Sequence, residues 1–235
     1  MQPAQPIPGI RAVLFDIDGT LVDTLPALIP GLGDMYERYA GHRPSDETLR
    51  SIIGIPLSEQ VLLYQTAPAS PDEVSDRVSF AIDRFEFYKD RERPFGPAIQ
   101  ALTRMSKAGF QIGLVTSKSA IELESFLDRF DAAPFVDSTV CSTDVSHPKP
   151  HPESALLGCS KLGVDPRETV LVGDSIYDIR CAKGAGLAAA LAVTYGAGNT
   201  QALLAEQPDH VFTSPEALFD WAASQSLTPC LERNH

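Results

Sequence analysis

Four short segments of the sequence carry side chains that could do chemistry on a phosphate group: FDIDGTLVDT, LVTSK, HPKPHP and VGDSIYD. In chain order they supply two carboxylates (Asp16, Asp18), a hydroxyl (Thr116), an ammonium group (Lys149) and two further carboxylates (Asp174, Asp178). Carboxylates can hold Mg²⁺, which prefers oxygen ligands, and cations stabilise a transferring phosphoryl group. The set is therefore typical of a magnesium-dependent phosphohydrolase.

The first carboxylate pair is placed by the apolar run AVLFDI, residues 12–17, which predicts a buried strand. Alternate residues of a strand share a face, so we expect Asp16 and Asp18 to point the same way and Ile17 to point into the core. Two close like charges are costly unless a cation or a proton separates them. This favours Asp16 as the nucleophile and Asp18 as a protonated acid that later acts as a base. The alternative, an Asp-Gly turn whose acids only cap the backbone, is disfavoured by the other three segments.

Phosphate ligands are expected after a second apolar strand and in a proline-rich loop. The hydroxyl of Thr116 and the following amides of Ser117 and Lys118 could hold phosphate oxygens, although a Thr-Ser pair is as often a helix N-cap. Lys149 stands between two prolines, which we expect to keep its backbone extended and out of a helix. A lysine held in this way can neutralise both Asp16 and a phosphate, whereas a lone loop lysine is usually solvated.

A magnesium site is predicted where the strand TVLVG ends in Asp174. Mg²⁺ usually keeps several waters, so we assign only the carboxylates of Asp16 and Asp174 and the backbone carbonyl of Asp18 as its protein ligands. Asp178 has two interpretations. The segment SIYD matches a helix capping box, and the carboxylate could also support the lysine or a metal-bound water from behind. The two roles can coexist.

Strand and helix patterns alternate through most of the chain, which predicts an α/β fold with a Rossmann-like parallel sheet and helices on both faces. Strands are predicted at 12–17, 110–116, 138–142, 169–174, 188–194 and 210–212.

Residues 25–90 break this alternation and predict an inserted helical domain without a convincing strand, so that residues 1–24 and 91–235 form the catalytic core. The insertion's helices are predicted at 28–40, 45–54, 57–67 and 70–90. An insertion after the first strand lies above that strand's carboxyl end, where ligands bind in open α/β sheets, and is placed to act as a lid.

Composition and charge limit the kinds of molecule that the protein is expected to bind. With 235 residues and a formal charge of −12, the protein repels nucleic acid and anionic membranes in bulk, so a small phosphorylated metabolite needs a local cation. No segment is long and apolar enough for a bilayer, and the first residues do not read as a secretory signal, which predicts a cytoplasmic enzyme. The four cysteines lack CxxC spacing and are expected to be reduced thiols. Both a monomer and a homodimer remain open.

The segments DIDGTLVDT, LVTSK, GDSIYD and the lysine of HPKPHPE resemble, in order, the four motifs of the haloacid dehalogenase superfamily of phosphohydrolases. The helical insertion is similar to that superfamily's type 1 cap, and we call residues 25–90 the cap. DGTLVDT, IIGIPL and VTYGAG are closest to the phosphoglycolate-phosphatase-like group. The resemblance implies a nucleophile (Asp16), an acid and base (Asp18), phosphate ligands (Thr116, Lys149), a magnesium ligand (Asp174) and an accessory acid (Asp178).

One departure from the family pattern bears on the reaction. Mutases of the β-phosphoglucomutase type carry an arginine in the cap turn that matches residues 54–57, and here Leu57 occupies that place. This favours a hydrolase of a small phosphate monoester, phosphoglycolate-like or a sugar phosphate, although Arg50 could substitute. Gly54 would bring backbone close to the substrate, or would only end a helix. A phosphomutase, an inorganic pyrophosphatase and a non-catalytic binding module remain alternatives.

Overall fold

A computed structural model of the protein describes residues 5–53, 57–64, 68–130 and 132–226. Its strands are β1 Ala12–Phe15, β2 Val22–Asp23, β3 Arg93–Pro94, β4 Gln111–Val115, β5 Ser138–Val140, β6 Thr169–Gly173, β7 Ala189–Val193 and β8 His210–Phe212. Six of them form one sheet in the order β5-β4-β1-β6-β7-β8, and all neighbouring strands in it are parallel. The predicted α/β fold with a parallel Rossmann-like sheet is confirmed.

Helices cover both faces of this sheet. They are α1 Leu25–Ala40, α2 Asp46–Ile52, α3 Leu57–Gln60, α4 Pro71–Tyr88, α5 Gly96–Lys107, α6 Ala120–Arg129, α7 Glu153–Leu162, α8 Ile176–Gly184, α9 Thr200–Ala205 and α10 Pro215–Ser224. Successive side chains of β1 point to opposite faces of the sheet. Val13 and Phe15 join the core under α5, α6 and α10. Ala12 and Leu14 join the core under α7, α8 and α9.

The order of the strands decides where a site can form. β1 is central, with β4 on one side and β6 on the other. After β4 the chain continues outward to β5, and it then crosses to β6 on the opposite side of β1. Ligands bind in open α/β sheets at the carboxyl ends of the strands beside such a reversal. Asp16, Thr116 and Asp174, which follow β1, β4 and β6, are therefore brought to one crevice.

The cap contains α1 to α4, and they share a hydrophobic core of their own that includes Leu32, Met35, Tyr36 and Leu49. α1 and α4 are the two long helices, and they pack side by side. Ser70 begins α4 with a capping box, in which its hydroxyl and the carboxylate of Glu73 bond each other's backbone amides.

Three sequence predictions differ from the structure. The predicted helix 57–67 is wrong at residues 61–64, because i→i+3 hydrogen bonds such as Leu63 N to Gln60 O replace the helical ladder there; residues 65–67 lie outside the described part of the chain. The predicted strand 12–17 ends at Phe15, since three amides of residues 20–22 bond the carbonyl of Ile17 and fold the chain into a turn. The predicted strand 138–142 ends at Val140, where a short 3₁₀ turn follows.

A second, smaller sheet was not predicted. β2 and β3 form an antiparallel two-stranded ribbon at the place where the chain enters and leaves the cap. Each strand has two residues, which is too short for a pattern of alternating side chains to show. None of the helices in the described part of the chain has the length and hydropathy that a membrane span requires.

Candidate active site

Lys149 lies at the centre of the crevice. Its ammonium group donates to Asp16 Oδ1 at 2.7 Å, to Asp178 Oδ1 at 2.6 Å and to the carbonyl of Val115 at 3.1 Å. Burial alone would lower the pKa of Lys149, but the two carboxylates raise it well above its ordinary value. Lys149 is therefore a fixed, buried positive charge in contact with Asp16.

The backbone that carries Lys149 is a turn. It contains a cis peptide bond between Lys149 and Pro150, and the amide of His151 donates to the carbonyl of Pro148 at 3.0 Å. The predicted extended conformation is wrong here, because this local hydrogen bond closes the chain on itself. The loop still stands outside the helices and delivers the lysine to Asp16.

Thr116 follows β4 and is buried beside the crevice. The amide of Lys118 donates to its hydroxyl at 3.1 Å, so that amide is occupied within the loop. The hydroxyl can still donate its own proton to an acceptor in the crevice. Ser117, another of the predicted phosphate ligands, is exposed and lines the cavity described below.

Asp174 is held by a loop that the sequence motifs did not single out for the site. The amides of Ala197 and Gly198 donate to its Oδ2 at 2.8 and 3.1 Å. The opposite wall is Gly19, which has φ +73° and where a Cβ would overlap this carboxylate. Glycine lets the turn after Asp18 adopt a left-handed conformation and approach Asp174 closely.

Asp178 makes both of the contacts that its sequence left open. Its Oδ2 accepts from the amide and hydroxyl of Ser175 at 3.1 and 2.6 Å, which closes the capping box that begins α8. Its Oδ1 accepts from Lys149. One carboxylate thus joins the start of α8 to the lysine of the crevice.

Asp18 has a partner of its own. Its carboxylate pairs with the ammonium group of Lys118 at 2.8 Å, and its side chain is about one-third exposed, at 34%. Burial would lower the pKa of Lys118, but Asp18 raises it, and Glu92 and Glu122 raise it further. Sequence reasoning treated Lys118 only as an amide donor and missed this side chain, although it stands two positions after Thr116.

The acidic residues fit a hard cation. Carboxylate oxygens of Asp16, Asp174 and Asp178 lie within 4.8 Å of one another, and all three side chains are buried. Burial raises the pKa of Asp16 and raises that of Asp174 well above its usual range, and the neighbouring carboxylates add to both shifts. Lys149 pairs with two of these three carboxylates, Asp16 and Asp178, so positive charge is lacking where oxygen ligands are close together. Those are the conditions that favour Mg²⁺.

The crevice opens into a cavity of about 580 Å³ between core and cap. Its floor includes Asp16, Asp18, Lys149 and Asp174, and its roof comes from cap helices. Leu57, predicted to lie in a substrate loop of the cap, lines this cavity. Gly54, its predicted neighbour in that loop, lies outside the described residues.

The family model of the haloacid dehalogenase-like hydrolases matches residues 13–192. The chain belongs to this family. Pyrophosphatase PpaX of Bacillus velezensis is 32% identical over 204 residues, 86% of this chain and 91% of the relative. Phosphoglycolate phosphatase of Salmonella choleraesuis is 30% identical over 240 residues, with 88% and 90% covered. N-acetylmuramic acid 6-phosphate phosphatase of Pseudomonas aeruginosa is 33% identical over 189 residues, with 80% and 83% covered.

Solved structures share the fold of this haloacid dehalogenase-like hydrolase. A haloacid dehalogenase-like family hydrolase from Streptococcus pneumoniae superposes with a TM-score of 0.79 at 23% identity, covering 91% of this chain and 98% of that one. CbbY from Rhodobacter sphaeroides in complex with phosphate superposes with a TM-score of 0.74 at 22% identity, covering 90% and 99%.

Proposed function

We infer that this hydrolase is a magnesium-dependent phosphatase that cleaves a small phosphate monoester through an aspartyl-phosphate on Asp16. The observation that carries this inference is the contact of Asp16 with Lys149 on the floor of the cavity, with Asp18 lining the same space. A carboxylate beside a fixed cation can attack an anion that would otherwise repel it. We also propose that a small phosphorylated metabolite is the partner and that the enzyme acts in the cytoplasm.

In the proposed first step, an oxygen of Asp16 attacks phosphorus and the bond from phosphorus to the alcohol oxygen breaks. Asp18 gives its proton to that alcohol oxygen. In the second step Asp18 takes a proton from water, the water oxygen attacks phosphorus, and phosphate leaves while Asp16 is regenerated. The contact of Lys118 with Asp18 suits this second step, since it holds the carboxylate in place.

The other residues of the site position the phosphoryl group and neutralise its negative charge. Mg²⁺, held by Asp16, Asp174 and the backbone carbonyl of Asp18, would supply positive charge that offsets the phosphoryl oxygens. Lys149 neutralises the same group from its own side, and Asp178 fixes that lysine. The hydroxyl of Thr116 donates to a phosphate oxygen. Together these residues stabilise the charge of the transferring group, which is the main demand of phosphoryl transfer.

The relatives support the reaction more than the substrate. The three named above are a pyrophosphatase, a phosphoglycolate phosphatase and a phosphatase of N-acetylmuramic acid 6-phosphate, so they share phosphate release and differ in the leaving group. Leu57 in the cavity lining favours hydrolysis over mutase chemistry, because an apolar side chain gives no grip on a second phosphate.

The test measures phosphate release from a panel of phosphorylated metabolites with Mg²⁺, with excess chelator, and after Asp16→Asn. We expect turnover that chelator stops and added Mg²⁺ restores, and that Asp16→Asn abolishes in a folded protein. Asp220→Asn, at an exposed position of α10, is the matched control and should keep full activity. Turnover that survives Asp16→Asn would rule out the nucleophile, and turnover in excess chelator would remove the metal.

A further inference from the structure

The cap side of the cavity is apolar. Six side chains from α1, α3, α4 and the end of α2 line it, and we call them the cap wall: Leu28, Ile53, Leu57, Val78, Ile82 and Phe85. Gln60 is a polar cap residue beside them. The cap segments 54–56 and 65–67, outside the described residues, read Gly-Ile-Pro and Gln-Thr-Ala and contain no charged residue.

None of the charged residues among the described cap residues lines this cavity. Arg84 pairs with Asp34 at 2.8 Å, and Arg77 is buried with its guanidinium carbon 5.6 Å from the centre of the Tyr39 ring. No described cap residue that lines the cavity therefore carries a positive charge to match a negative charge on the leaving group.

On the core side of the cavity, the described positive charges are already paired. Its charged lining consists of four carboxylates and two ammonium groups: Asp16, Asp18, Glu122, Asp174, Lys118 and Lys149. Lys149 is saturated by its three acceptors, and Lys118 already faces Asp18 with Glu92 and Glu122 nearby. A magnesium ion and the substrate phosphate would roughly cancel each other, so a second anionic group would enter a negative field.

A smaller adjoining cavity of about 70 Å³ is lined by Lys118 and by two further cations, and both of these are paired. Lys89 contacts Glu86, and Arg129 contacts Glu92 at 2.7 Å. These pairs leave no unmatched cation for a substrate that extends past Phe85.

We propose that the leaving group is an uncharged alcohol whose apolar face packs on the cap wall, so that esters carrying a carboxylate or a second phosphate are poor substrates. The proposal rests on the phosphatase function inferred above. The cavity volume falls within the range of about 300–1,000 Å³ that holds drug-sized ligands, so it has room for a group of ring size beside the phosphate. The proposal also predicts that phosphoglycolate and pyrophosphate are poor substrates.

The experiment uses two esters that differ by one charge, benzyl phosphate and 4-carboxybenzyl phosphate, because the reacting oxygen is the same in both. We expect kcat/KM to be at least about tenfold higher for benzyl phosphate. Ile82→Lys puts an ammonium group on the cap wall at a side chain that is 45% exposed, and it should reduce or reverse the preference. Phe87→Lys makes the same kind of exchange on α4 outside the cavity, at a side chain that is 66% exposed, and should leave the preference unchanged.

A binding measurement tests the preference for an uncharged leaving group independently of the proposed reaction. Benzylphosphonate and 4-carboxybenzylphosphonate cannot be hydrolysed, and calorimetry with Mg²⁺ present should show at least about tenfold tighter binding of the uncharged compound. Equal binding, or tighter binding of the carboxylate, would overturn the proposal while Asp16-dependent turnover upheld the phosphatase. If Asp16→Asn left turnover unchanged, the proposed phosphatase mechanism would be refuted. The ratio of the two binding affinities would then be the only test of the preference for an uncharged group. Equal responses of Ile82→Lys and Phe87→Lys would also count against the cap wall.

Discussion

The ammonium group of Lys118 lies 2.8 Å from a carboxylate oxygen of Asp18, the residue to which we assign acid and base chemistry. The two residues come from different strand ends, β1 and β4, and meet because those strands are neighbours. The contact places a cation that is 13% exposed beside a carboxylate that must gain and lose a proton. Lys118 is thus a positioning residue for the proposed reaction.

Lys118→Met should lower kcat about tenfold or more, because Asp18 loses the cation that orients its carboxylate. The free energy of unfolding should change by less than about 1 kcal/mol, since Asp18 is exposed enough for water to replace part of the contact. Steady-state kinetics and urea unfolding measure the two effects. Lys161→Met, which removes a surface pair with Asp144, should leave kcat unchanged. An unchanged kcat in Lys118→Met would refute the positioning role.

Arg129 ties α6 of the core to the chain that leaves the cap. Its guanidinium donates to Glu92 Oε2 and to the carbonyl of Lys89, both at 2.7 Å. Arg129→Met should lower the free energy of unfolding by about 2 kcal/mol, because Glu92 is largely buried and would lose its partner. In the Glu92→Gln background the same change should cost less, and a double-mutant cycle measures the difference. If the losses of unfolding free energy in the two single variants simply added in the double variant, the contact between Arg129 and Glu92 would not stabilise the fold.

The deficit of Arg129→Met should depend on pH. Burial raises the pKa of Glu92, and Arg129 opposes that rise, so the pKa in the folded variant must be higher still. The variant therefore loses stability relative to the wild type as pH rises through these pKa values, and recovers it as the carboxyl is protonated. Urea unfolding at about pH 5 and pH 8 should show the larger deficit at pH 8. A deficit that is equal at both values would contradict this account.

Tyr195 connects the loop that holds Asp174 to the turn after Asp18. Its hydroxyl donates to the carbonyl of Thr20 at 2.9 Å, and burial raises its pKa above the ordinary value, with the charge of Asp174 adding to the shift. Near pH 8, Tyr195→Phe should lower the free energy of unfolding by about 1 kcal/mol, through the lost hydrogen bond.

At alkaline pH that deficit should shrink. The raised pKa makes the contribution of Tyr195 fully present below about pH 10, the value for unfolded tyrosine, and loses it as pH rises further. The loss is about 1.4 kcal/mol per pH unit, and the phenylalanine variant does not share it. Urea unfolding between about pH 8 and pH 11 measures both curves. A gap that stays constant across this range would show that Tyr195 ionises equally in both states.

The sheet was predictable because buried strands of a parallel sheet leave long apolar runs in the sequence. Asp16, Thr116 and Asp174 were predictable for the same reason, since each stands where such a run ends. The cap was predictable as helical, but not which side of it meets the substrate. On α4, Arg77 and Ala81 are buried toward the cap's interior while Val78 and Ile82 face the cavity, and helical spacing alone does not tell these two sides apart.

Contacts between distant parts of the chain were not predictable. Lys118 meets Asp18, and the amides of Ala197 and Gly198 meet Asp174, only because of how loops from neighbouring strands approach one another. A lysine or a glycine-rich loop has no sequence pattern that names its partner. The two-stranded ribbon of β2 and β3 was missed because two residues cannot show a period.

The central claim is that Asp16 carries the phosphoryl group during turnover. The direct measurement is an acid quench of the enzyme during turnover of a phosphate ester with Mg²⁺, followed by mass spectrometry of the peptide that contains Asp16. We predict a mass increase of one phosphoryl group on Asp16 that is absent from the Asp16→Asn protein and decays as the substrate is consumed. Steady turnover with Asp16 unmodified at every time point, or with the phosphoryl group on another residue, would contradict the proposed mechanism.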